Sequence, residues 1–191
     1  MKPLQPVTAQ ECEASAPDVS YELRAMVQAR DLNAYVKQYT DPKYADSVLV
    51  MRNCAIESFL LHYRALREFF SSHRKMKADN LKATDYLSTW QTSALWVIDQ
   101  QEIDRIHKRL AHLSTLRTTL DNNWDLPHME WNVSQTFEEF VSKLTPVPQS
   151  WFQQATDLIK RRKPARAVTL GADSNSTASG GRPMMIFPPF Q

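Results

Sequence analysis

Residues 105 to 117 read RIHKRLAHLSTLR, and this stretch holds the side chains best suited to chemistry. On a helix, Glu102, Arg105, Arg109 and His112 follow one another at spacings of 3, 4 and 3, so they line one flank. An imidazole titrates near neutral pH and can give or take a proton. A guanidinium offers a rigid fork of donors to a phosphate. Together they suit phosphodiester cleavage without metal, in which a base activates a 2′-hydroxyl and a cation steadies the charge growing on phosphate. The plainer reading is a charged helix flank, with Glu102 paired to Arg105 or Arg109 and His112 packed at the core edge. His107 falls on the opposite flank, so the two histidines form no site with each other.

These residues need a helix, and the chain is written for helices. It has 191 residues, 42% of them hydrophobic and 23% charged, enough for one domain with a real core. Its three glycines all fall between Gly171 and Gly181, and residues 1–170 contain none. Tight β-turns and bulges ordinarily need glycine, so the composition predicts an all-α fold. It also excludes Gly-rich phosphate loops and the GxGxxG and GxSxG signatures from residues 1–170. No nucleotide cofactor is expected.

The periodicity predicts a bundle of about five helices over residues 18–163, between an extended arm at 1–17 and a flexible tail at 164–191. A first helix is expected from Asp18 or Ser20 to about Tyr39. A long second helix, roughly 43–72, aligns Val48, Ala55, Phe59, Tyr63, Leu66 and Phe70. Val50, Cys54, Leu60 and Leu61 broaden that stripe, so this helix is expected at the centre of the bundle, covered from several sides. A short helix is expected near Thr84, a long one over 97–120 carrying Ile103, Ile106, Leu110 and Leu113, another over 131–144, and a last one ending in Lys160-Arg161-Arg162-Lys163. DNNWDLP reads as a break, and Pro146 and Pro148 as a stop.

Arg105 and His112, with six residues between them, resemble the arginine–(four to six)–histidine motif of the HEPN superfamily of small helical bundles. The resemblance implies a metal-independent ribonuclease of toxin or defence type, or an inactive interaction domain. It implies dimerisation that brings two motifs together, with a polar residue from an earlier helix assisting; here that is Glu57 or Asn53. Ile106 departs from the polar residue that often follows the arginine. The stretches ESFLLHYRALREFF and IHKRLAHLSTLR also resemble uncharacterised bacterial helical proteins with an AHLT-like…R segment, a likeness that brings no activity with it.

Other features are weighed beside this one. Asn53, Glu57, Arg64 and Glu68 form a narrow polar strip on the second helix, either a site or an ion-pair ladder. His62 is either half of a metal pair with His112 or a core-edge histidine held by a hydrogen bond. No HExxH or CxxC motif supports a metal. Arg52 on the apolar face is either a helix-end snorkel or an interface contact. Trp90, Trp96, Trp124, Trp131 and Trp151 have no basic run interleaved with them and are read as packing at helix junctions. The basic run at 160–163 suits a helix C-terminus and also suits phosphates. PMMIFPPF near the end has the look of a docking motif.

Cys12 and Cys54 are expected as free thiols, Cys12 in the arm and Cys54 buried. The net charge of +2 sets up no global pull toward nucleic acid or lipid. No apolar stretch has the length of a membrane span or a signal peptide, so a cytoplasmic protein is expected. The preferred reading is a non-catalytic interaction module with a protein partner or a second copy of itself. The alternative is a HEPN-like ribonuclease acting on RNA, with Arg105, His112 and Glu57 as its catalytic set and Arg109, Asn53 and Arg64 as binding residues.

Overall fold

The computed structural model describes residues 6–71, 81–91, 100–111 and 124–162. It is an all-α bundle, with no strand among the described residues. The helices are α1 (Ala9–Val36), α2 (Ala45–Phe70, entered through a 3-10 turn Pro42–Tyr44), α3 (Ala83–Tyr86), α4 (Gln100–Ala111), α5 (Leu126–Lys143), α6 (Pro146–Trp151) and α7 (Gln153–Arg162). The predicted tail at 164–191 lies outside the described residues.

Helix α1 begins about nine residues before the expected start, so residues 9–17 are helical rather than an extended arm. A capping box fixes the start: Thr8 Oγ1 accepts from the Glu11 amide at 3.2 Å, and Glu11 Oε2 accepts from the Thr8 amide at 2.8 Å. These bonds hold the Glu11 carboxyl below its ordinary pKa. Pro17 sits inside the helix on its exposed side. A buried row, Cys12, Ala16, Val19, Leu23, Met26 and Val27, runs past it on the inner face. Cys12 is therefore a core residue, and Tyr86 Oη donates to its carbonyl at 2.9 Å.

Two other boundaries depend on how proline is read. Asp125-Leu126-Pro127 opens α5 rather than extending the break: Asp125 Oδ1 accepts from the His128 amide at 3.1 Å. Proline in a first turn loses no hydrogen bond, since that amide has no partner within the helix. Pro146 likewise starts α6.

The core is aromatic. Phe140 is fully buried and meets Phe69, Phe70, Tyr86, Trp90 and Phe152 edge-on, at centroid separations of 5.5–6.0 Å. Edge-to-face contacts suit the ring quadrupole and add to area burial. Trp90 Nε1 donates to the Phe70 carbonyl at 2.9 Å, which satisfies both a buried indole and an orphan carbonyl at the end of α2.

Helix α2 lies along α1 in the most extensive helix contact of the fold and also meets α3, α4 and α5. Its central position holds only for the later turns. No residue of α2 before Ala55 is buried, and Val50 and Leu61 are 60% and 54% exposed. The apolar residues that broadened the predicted stripe face outward.

A knot of charges closes the other side. Arg162 grips Asp31 in bidentate fashion at 2.7 and 2.8 Å and donates from Nε to Glu130 at 3.0 Å. Arg30 Nε stands 2.8 Å from the second Glu130 oxygen. The knot ties α1, α5 and α7 together. Burial pushes the Glu130 carboxyl above its ordinary pKa, and the Arg30 charge opposes this only in part. Asp31 shifts the same way for the same reasons.

A raised native pKa means that the folded chain binds the proton more tightly. The stability linked to Glu130 is therefore complete below its unfolded pKa, about 4.3, and is lost as pH rises through the native value. Urea denaturation of wild type and Glu130→Gln across this window is expected to show the variant with the flatter pH dependence. Parallel profiles would contradict the assignment.

Candidate functional site

The predicted strip lies on α4, whose Ile106 is 2% exposed and packs into the core. That burial explains the departure noted at this position, where a polar side chain would lack water. With Ile106 inward, Arg105 sits at the edge of the core, half-buried. Its guanidinium lies 4.5 Å from the ring centroid of Trp124, just ahead of α5. This is a cation–π stack, which holds the side chain in place.

Helix α4 packs against α2, which carries Asn53, Glu57 and Arg64. All three are half-buried, and Asn53 and Glu57 have polar or electrostatic partners. His112 lies outside the described residues, as do the side chains of Glu102 and Arg109. Among the described residues, no group of three His, Cys, Asp or Glu side chains is placed to hold a metal ion.

His62 takes the hydrogen-bonded form weighed above. Its Nδ1 stands 2.7 Å from Glu22 Oε2, and its ring meets Tyr21 edge-on at 5.8 Å. An open groove of about 260 Å³ runs past Glu22, with Ser15 and Asp18 beside it and Leu66, Phe69 and Leu81 as apolar walls. Ligand pockets usually hold more than about 300 Å³ and enclose their occupants. Arg52 is half-buried, and its Nε is enclosed with no hydrogen-bond partner.

The more conspicuous features are surfaces. Cys54, expected to be buried, is exposed on α2. It lies with Val50, Leu61 and Ala65 within about 60° of the helix circumference, and all four face solvent. Leu49, Met51 and Tyr44 are also exposed near the start of α2, and Leu32, Tyr35 and Tyr39 at or beyond the end of α1. A short turn joins these ends, so the exposed apolar side chains gather at one end of the hairpin.

The second surface is at the start of α5. Trp131 is 50% exposed, and its ring stacks on that of His128 at 6.1 Å and 19°. Asn132 Nδ2 donates to His128 Nε2 at 3.2 Å and fixes the imidazole. Trp131 was read as junction packing; the i, i+3 spacing of His128 and Trp131 was the available signal. The other described tryptophans follow the packing reading, Trp90 buried and Trp124 and Trp151 half-buried.

The chain matches no family model, no curated protein and no solved structure. No described helix is long and apolar enough to cross a membrane.

If Trp124 holds Arg105 as the geometry indicates, Arg105→Ala should lower stability by about 1 kcal/mol in urea denaturation, the order of a cation–π contact. Arg105→Lys should recover part of the loss. An unchanged midpoint for both variants would show that the stack does not anchor this arginine.

Proposed function

We propose that this protein is a helical interaction module that self-associates through the exposed face of α2. The supporting observation is the run Val50, Cys54, Leu61 and Ala65, apolar and bare to solvent. One exposed leucine needs no explanation. The side chains gathered at this end of the hairpin together expose an area on the order of several hundred Å², a patch size that marks interaction surfaces. That area approaches the roughly 800 Å² per partner of a standard interface.

A second copy fits because the face complements itself. Glu57 and Arg64 are of opposite sign and flank the same stripe on either side of Leu61. Two α2 helices crossing antiparallel at Leu61 place each Glu57 opposite the other chain's Arg64. Such a contact is isologous and closes as a dimer.

Leu61→Glu would bury two unpaired charges at the crossing point. Sedimentation equilibrium is expected to show a wild-type dimer and a Leu61→Glu monomer with unchanged circular dichroism. A wild-type monomer at every concentration would refute the proposal.

A second reading is a HEPN-type metal-independent endoribonuclease. It draws on the packing of α4 against α2, which sets the helix of Arg105 beside the helix of Asn53 and Glu57. In this reading Arg105 holds the phosphate, His112 moves the proton and Glu57 assists, with Arg109, Asn53 and Arg64 as binding residues. Cleavage of a mixed RNA pool in EDTA that disappears in His112→Ala is the expected result. No cleavage, or equal cleavage by both proteins, leaves the interaction module alone.

A further inference from the structure

The Trp131–His128 stack does nothing for the core. Trp131 faces solvent on α5 while Val133, Phe137 and Phe140 of the same helix are buried. A half-exposed tryptophan held flat against a second ring, itself fixed by Asn132, is a rigid platform whose outer face has no intramolecular use. Flat π-faces of this kind accept planar ligands by stacking.

The fold then supplies charge beside it. The sequence separates the platform from the basic run at 160–163 by about thirty residues, so no interleaving shows in the chain. The structure brings them together. Arg162 bonds to Glu130, the residue immediately before Trp131, which lays the last turn of α7 beside the turn carrying the platform. Asp31 and Glu130 balance Arg162 and Arg30 within the knot. Lys160 and Arg161 lie outside it, exposed on the same turn. The Arg161 Nε donates to the Asp157 carbonyl at 3.2 Å, which orders its stem. A second stack, Arg105 on Trp124, lies just ahead of the same helix.

We infer that the Trp131–His128 stack and the cations Lys160 and Arg161 form a binding site for single-stranded nucleic acid. Bases lie against the rings and phosphates meet the cations. A paired duplex keeps its bases stacked on one another, whereas a single strand can turn them onto an aromatic face. This site lies on α5 and α7, away from the α2 face, and requires neither self-association nor cleavage.

Fluorescence anisotropy of a labelled oligothymidylate with the full chain, at low and rising salt, tests it. That probe has no 2′-hydroxyl, so binding is read independently of any ribonuclease activity. The expected result is salt-sensitive binding, weakened at least about tenfold by Trp131→Ala, the order of one lost base stack, and partly kept by Trp131→Phe. Replacing Lys160 and Arg161 together with Glu should weaken binding and flatten its salt dependence. Circular dichroism checks that each variant folds, and binding by Leu61→Glu separates this site from the dimer proposal. No binding at low salt, equal binding by Trp131→Ala, or equal affinity for a duplex of the same length would overturn the inference and leave Trp131 as a contact for protein.

Discussion

Helix α2 carries apolar side chains around more of its circumference than the rest of the chain covers. From Ala55 onward one side is filled by α1 and the aromatic core, and Phe59, Tyr63, Leu66 and Phe70 are buried. The opposite side keeps Val50, Cys54, Leu61 and Ala65 in water. Burying apolar area is the main favourable term in both folding and association. The fold uses one side of the helix, and in our reading a second molecule uses the other. Tyr35, Tyr39 and Tyr44 add amphipathic rings at the same end, the kind of side chain enriched at interfaces.

The rest of the bundle is positioned by two different devices. On one side Phe140 gathers rings from α2, α3, α5 and the α6–α7 junction into a dry cluster, where shape sets the packing. On the other, Arg30, Asp31, Glu130 and Arg162 join three helices through charge. A partly buried ion cluster of this kind pays a desolvation cost, visible in the raised pKa of both carboxyls, and gives little net stability. Its structural effect is directional: the bidentate grip on Asp31 sets where α7 ends, and hence which surface Lys160 and Arg161 join.

The sequence showed the fold class and the inner faces well, and its boundaries less well. Glycine-free composition and helical spacing were enough for an all-α bundle, and the inner row of α2 lies where its periodicity puts it. The start of α1 was hidden because its first buried residues, Cys12 and Ala16, are small and Pro17 follows them. Asp125 and Pro127 looked like a break because a helix cap and a helix stop use the same residue types. Periodicity also measures how apolar a helix is all round, not which neighbour covers it. For that reason Cys54 and Leu61 read as core and are exposed. Of the predicted site, Arg105 is held by Trp124, a partner that no spacing rule supplies, and His112 lies outside the described residues.

The two cysteines offer the most direct test of the account. Cys12 is buried and Cys54 lies within the proposed interface, so a thiol reagent added to the native wild-type chain reports on one position. Covering α2 with a second copy slows that reaction. The account predicts that the modification rate of Cys54 falls as protein concentration rises through the association range. A rate independent of concentration in a chain that sediments as a dimer would place the interface elsewhere and contradict the account.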